Sequence, residues 1–140
     1  MVDSEKIARY IGQLKLYLNQ ISELKEVNKR DFISNWRVHD LAERKLHQAI
    51  EAFLSIGEML ISEFNFRKPD SYADIPRILE ENGVIPSELS ERLIDLAKLR
   101  NVLVQEYINL DHERVYERMQ KDTLTIEEFI DHVKRFLSTK

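Results

Sequence analysis

The amino-acid sequence predicts an all-α fold: an up-and-down bundle of four to six helices, formed as one domain across residues 1–140. Three observations carry that expectation. Apolar residues recur at intervals of three and four over long stretches, the period of a helix that buries one face. Glycine and proline, at three copies each, are too few for the turns of a multi-stranded sheet. With 43% hydrophobic and 33% charged residues, the chain is too apolar for disorder and long enough to bury a core without metal or disulfide staples.

The first helix is expected to begin after an Asp3 or Ser4 cap, with Ile7, Ile11, Leu14, Leu18 and Ile21 as its seam. The charged stretch Lys25 to Arg30 loses the period and is read as a turn, with Asp31 capping the next helix. From Asp31 to about Phe64 there is no proline, and Leu46, Ala49, Ile50, Phe53, Ile56, Leu60 and Ile61 keep helical spacing. One long helix is expected there, with an irregular first turn near Trp36. Gly57 inside it costs about 1 kcal/mol of helix propensity relative to alanine, so its expected use is the close approach of a neighbouring helix. Residues Asn65 to Ser71 break the pattern. A short helix from about Tyr72 to Asn82 comes next, closed by Gly83 in a left-handed cap. Pro86 suits the first turn of a fourth helix, about Ser87 to Ile108. Asp111 is placed to cap a fifth segment. Thr125, Glu127 and Glu128 suggest a capping box, with Leu124 and Phe129 as a hydrophobic staple, so the C-terminal region reads as two helices or as one bent near Thr123.

Composition also excludes several functions. The absence of cysteine removes disulfides, thiolate metal sites and a cysteine nucleophile, and it fits a reducing compartment. The N-terminus lacks the layout of a signal peptide and no apolar run is long enough to span a bilayer, so a cytoplasmic protein with no membrane role is expected. A net charge of −4 argues against a general electrostatic nucleic-acid binder, though a local basic site is compatible with it. Gly12, Gly57 and Gly83 are isolated, which leaves no phosphate-binding loop, and there is no nucleophilic serine motif. His39 and His47 lie two helical turns apart, too far to share a metal without a third ligand from elsewhere, and are read as surface or core histidines. No metal or cofactor is assigned.

The unusual segment is Leu99-Arg100-Asn101-Val102-Leu103-Val104-Gln105-Glu106-Tyr107. On the fourth helix Leu89, Leu93, Leu96, Arg100, Leu103 and Tyr107 form one stripe, and Ile94, Ala97, Asn101, Val104 and Ile108 form a second beside it. Arg100 and Asn101 each interrupt an apolar stripe. A buried guanidinium is costly unless paired, so Arg100 should meet a carboxylate, with Glu51 the candidate, or face a cleft. Arg100 and Tyr107 share a face about 10 Å apart, whereas Gln105 lies about 140° around from Arg100. The two cannot converge within one regular helix. A two-fold dimer through facing motif helices would bring copies of both to a shared cleft.

Arg100, Asn101 and Tyr107 resemble the signature of the HepT-like HEPN ribonucleases, which runs Arg-Asn, three residues, His, one residue, Tyr; Gln105 occupies the histidine position. The likeness continues through Glu43 to Gly57, Pro69 to Tyr72, Gly83 to Pro86, Leu96 to Asn101, and Tyr107 to Tyr116, in order over roughly positions 40 to 120. The resemblance implies a HEPN helical bundle, a homodimer, and a metal-independent RNase site at the subunit interface. Arg100 and the Gln105 position would be catalytic, the latter impaired, with Asn101 and Glu51 supporting. It further implies a toxin whose partner is a minimal nucleotidyltransferase antitoxin, which silences it by attaching AMP to Tyr107. The alternative is a non-catalytic dimeric module that binds nucleotide or RNA and serves as partner or AMPylation substrate of such a transferase. Each residue also has a plainer reading: Arg100 as a structural ion pair, Tyr107 as packing, Asn101 as a cross-bundle hydrogen bond. His112 is the nearest titratable substitute, read as a solvent-exposed histidine in a helix first turn. Arg37, Arg44, Lys45, Lys98, Arg114 and Arg118 either line an RNA path or are scattered surface charge.

Overall fold

Six helices account for nearly all of the structure, a computed structural model that describes residues 4–105 and 110–140; no strand occurs among the described residues. They are α1 (Ser4–Leu24), α2 (Lys29–Ser34), α3 (Trp36–Glu63), α4 (Asp74–Glu81), α5 (Ser87–Gln105) and α6 (His112–Ser138). The all-α bundle expected from the helical spacing is what forms. All five seam residues of α1 are buried, and α1 packs chiefly on α3. The latter touches every other helix and supplies the centre of the core through Leu46, Ile50, Phe53, Ile56 and Leu60. Phe53 meets Phe129 of α6 edge to face, with ring centroids 5.0 Å apart.

Two boundaries differ from the sequence expectation, while α5 begins at Ser87 as expected. The helix expected from Asp31 is split, because Asn35 ends α2 and its side chain then caps α3 by accepting from the Arg37 N–H at 3.1 Å. Asp31 is not the cap. Asn28 holds that role, its Oδ1 accepting from the Asp31 N–H at 2.9 Å. Pro86 stands just before α5, its carbonyl accepting the first helical bond from Ser90. At the C-terminal end, α6 is one helix. The capping box is not used: α6 runs unbroken through Thr125, whose hydroxyl accepts from Arg92 Nη1 at 3.4 Å, and Leu124 is exposed instead of stapling onto Phe129.

Two glycines behave as their positions require. Gly83 has φ of 75°, and the Val84 and Gly83 N–H groups return to Leu79 and Glu80, which closes α4. A Cβ at Gly57 would lie 2.5 Å from Cγ2 of Ile75, so the missing side chain is what seats α4 on α3. Asp111 caps α6 as expected, accepting from the Arg114 N–H. No described helix is long and apolar enough to cross a membrane.

Candidate functional site

Of the five sequence-nominated residues, three meet, one stands apart and one lies outside the described residues. Glu51 on α3 and Arg100 on α5 meet directly, with Arg100 Nε donating to Glu51 Oε1 at 2.6 Å. Asn101, exposed on the next position of α5, accepts from Arg100 Nη1 at 3.3 Å. Gln105 is exposed at the last described position of α5 and is not brought to Arg100 by any described contact, as the helical angle between them requires. Tyr107 lies outside the described residues.

Helical geometry explains the pairing. The apolar stripe of α5, with Leu89, Leu93, Leu96 and Leu103 buried, presses onto the core and carries Arg100 inward with it. Glu51 stands between buried Ile50 and Ala52 at the edge of the corresponding face of α3. The carboxylate raises the guanidinium pKa further, against the opposing effect of partial burial, so Arg100 is a permanent cation.

Two contacts were not evident from the sequence. Tyr72, in the connection before α4, lies under the guanidinium, with Arg100 Cζ 4.6 Å from the ring centroid. His47 shares the same carboxylate oxygen, its Nε2 lying 3.2 Å from Glu51 Oε1. Its signal was the four-residue spacing to Glu51, which places the two on one face of a helix. Tyr72 had no such signal, since only folding brings that connection across to α5. Beside this group a cleft of about 380 Å³ is lined by Asp40, Glu43, Arg44, His47, Leu103 and Leu110.

His112 departs from its expected exposed setting. It is the first residue of α6, its Nδ1 lies 2.5 Å from Glu43 Oε1, and its ring stacks on that of buried His39 at 3.7 Å between centroids. One ligand atom from each of His39, Glu43 and His112 lies within 4.8 Å of the others. Among the basic residues considered for an RNA path, Arg118 is committed elsewhere, to Asp95 and Asp122. Arg44 and Lys98 are exposed, and Arg44 lines the cleft.

Arg100 therefore offers a fixed positive charge, clamped from one side by Glu51 and from below by Tyr72. Among the described residues its Nη2 has no hydrogen-bond acceptor. This is an arrangement that can bind an oxyanion through the unused edge of the guanidinium.

Comparison with known proteins agrees with this fold. The family model described as Ribonuclease HepT-like matches residues 7–133. The Bacillus subtilis protein YutE is 28% identical, the match covering 99% of this chain and 92% of YutE, and its structure, described as that of a cytosolic protein, superposes with a TM-score of 0.84. The mRNA nuclease HepT of Shewanella oneidensis is 26% identical, over 85% of this chain and 96% of its own. A structure of the tri-AMPylated Shewanella oneidensis HEPN toxin with its MNT antitoxin matches at a TM-score of 0.85 and 25% identity, covering 96% of this chain and 99% of that one. With a helical fold of the same shape, a family match across most of its length and the motif arginine seated in the bundle, the chain belongs to the HepT-like family of HEPN proteins.

Proposed function

We propose that this protein is an RNase toxin of the HEPN type that acts as a cytoplasmic homodimer, each chain contributing one domain. The observation that carries the reading is Arg100: a half-buried, permanently charged guanidinium held by Glu51 and Tyr72, with one edge unused among the described residues. RNA cleavage without metal proceeds by attack of a 2′-oxygen on the adjacent phosphorus and departure of the 5′-oxygen, leaving a cyclic phosphate. The 2′-proton passes to a base and the leaving oxygen takes up a proton from an acid. Arg100 stabilises the extra negative charge on phosphorus, and Asn101 holds the guanidinium orientation from the same helix. Glu51 and His47 are positioning residues behind it.

Gln105 stands where family members carry histidine. Its amide donates and accepts hydrogen bonds but does not titrate near neutral pH, and loss of a general acid or base typically lowers a rate by roughly 10² to 10⁴. The protein is therefore proposed as a slow RNase. Support for the RNase class comes from relatives named as mRNA and tRNA nucleases. Support for a toxin and antitoxin pair comes from related toxins solved with their antitoxins, one of them AMPylated. By the same analogy the partner here is a minimal nucleotidyltransferase that attaches AMP to Tyr107, seven residues on from Arg100, so that the added phosphate competes with RNA for the arginine.

The dimer rests on α5, whose second stripe keeps Val104 exposed and Ile94 half-buried beside Asn101. A light-scattering mass near 16.7 kDa in dilute solution would remove it.

The direct test is cleavage of mixed RNA substrates by wild-type and Gln105→His protein. The variant should cleave at least about tenfold faster, with a midpoint near the imidazole pKa of roughly 6.5. The same Gln105 gives weight to the second reading, a non-catalytic partner or substrate of the transferase. A folded, dimeric Gln105→His protein that leaves every RNA intact, yet gains AMP from a coexpressed transferase and loses that gain in Tyr107→Phe, would establish the second reading over the first.

A further inference from the structure

Along α3, His39, Glu43, His47 and Glu51 recur at four-residue intervals. The second pair serves Arg100. The first pair does not. His39 is buried, only 8% exposed, and its Nδ1 makes no hydrogen bond among the described residues. Glu43 Oε1 lies 3.9 Å from that nitrogen, while Asp40 Oδ1 lies 3.1 Å away without hydrogen-bond geometry. His112 approaches the same Glu43 oxygen from α6, and the two imidazoles stack with an angle of 22° between their planes.

As bare side chains this is a poor arrangement. Among the described residues a buried imidazole nitrogen is left unpaired beside a carboxylate. One divalent cation resolves this: each imidazole gives a lone pair, and the carboxylate cancels half of the ionic charge. Two nitrogens and one carboxylate oxygen are the donor set of zinc, nickel or cobalt. Calcium and magnesium favour oxygen ligands throughout. Tetrahedral bonds of about 2.0 to 2.2 Å set ligand atoms roughly 3.3 to 3.6 Å apart, so the observed spread of up to 4.8 Å closes when the two imidazoles rotate out of their stack to aim one nitrogen each at the ion. Asp40 and the cleft beside Glu43 leave room for a fourth ligand, from the carboxylate or from water.

We propose that His39, Glu43 and His112 hold one divalent transition-metal ion, with zinc the best fit. The ion clamps the first residue of α6 to α3. Its function is structural: it fixes where the chain resumes after the motif, and it takes no part in the chemistry at Arg100.

The test uses tag-free, chelator-treated wild-type protein. Titration calorimetry with zinc chloride should show one site per chain. Cobalt chloride should give the visible absorption of a low-symmetry nitrogen and oxygen site, and stoichiometric zinc should raise Tm. His112→Ala and His39→Ala should each weaken zinc binding at least about tenfold, while His132→Ala, on a distant turn of α6, leaves it unchanged. Should His39→Ala not fold by circular dichroism, His112→Ala and the wild-type cobalt spectrum decide. Wild-type protein that takes up neither metal at about 100 μM, or binding that survives His112→Ala, overturns the proposal.

Discussion

Two arginines of this chain meet carboxylates in opposite ways, and the contrast separates a structural cation from one held in reserve. Arg67 is the more exposed, at 45% of its side chain, yet it is saturated: it grips Asp74 through Nη1 and Nη2 at 2.8 and 2.9 Å, and Glu81 through Nε and Nη2 at 2.9 and 2.8 Å. Arg100 is the less exposed, at 22%, and among the described residues it has fewer hydrogen-bond partners: one carboxylate oxygen and one weak bond to Asn101. Burial normally demands more hydrogen bonds, not fewer. Among the described residues, that deficit at Arg100 is the observation on which the proposed anion site rests. The two are also linked, because the Arg67–Asp74 pair closes the loop that carries Tyr72 and so presents the ring on which Arg100 rests.

The largest expected effect breaks the comparison if it fails. Arg100→Ala should reduce RNA cleavage at least about 100-fold, in wild-type and Gln105→His backgrounds alike, with little change in Tm. Arg67→Ala should do the reverse, lowering Tm while slowing cleavage only a few-fold, the amount a loosened cation–π contact worth about 0.5 to 1 kcal/mol allows. Similar losses of cleavage in both variants would erase the distinction between them.

Gln105→His comes next in size. Its gain should vanish when Arg100 is also replaced, because proton transfer helps only where the phosphate charge is neutralised. A double-mutant cycle on cleavage rates measures this coupling.

Gly57→Ala acts on the structural side alone. The added methyl meets Ile75 beside the Arg67 clamp, and overpacking of about 1 to 3 kcal/mol outweighs the roughly 1 kcal/mol of helix propensity gained. Urea unfolding should show the loss, and cleavage by the folded fraction should be unchanged.

The smallest effect is a pH dependence. Arg67, and then the Asp70 N–H, hold the Asp74 carboxyl at about 2, below its ordinary value. Because the folded pKa is depressed, the stabilisation is fully present above the ordinary carboxylate range and is lost as pH falls through about 2. Wild-type stability should therefore drop more steeply than that of Asp74→Asn between about pH 4 and pH 2. Parallel curves in thermal melts across that window would show that the clamp adds no pH-dependent stability.

Much of this molecule was legible in its sequence because helix formation is local. The spacing of Ile7, Ile11, Leu14, Leu18 and Ile21 defines a buried face wherever the helix ends up. Gly57, Gly83 and Asp111 announced a close approach, a left-handed cap and a helix start, and each plays that part. The Arg100–Glu51 pair was also within reach, since a cation on an apolar stripe must find an anion. Local signals failed where two competed. Asn28 and Asp31 are both good caps, and Asn35 can end one helix while starting another. Thr125 with its following glutamates has the form of a helix start, yet the packing of Ile126, Phe129 and Ile130 carries α6 straight through it.

The sequence by itself determined the helices, their buried faces and the family to which the chain belongs, because periodicity and motif spacing are properties of neighbouring residues. Only the tertiary structure decided what surrounds the charges. Tyr72 reaches Arg100 across 28 positions and His112 reaches Glu43 across 69, and no helical period spans such distances. Those contacts exist because α3 touches every other helix. A central helix gathers side chains from remote parts of the chain onto one face, and the chemistry of that face is set by which of them arrive together.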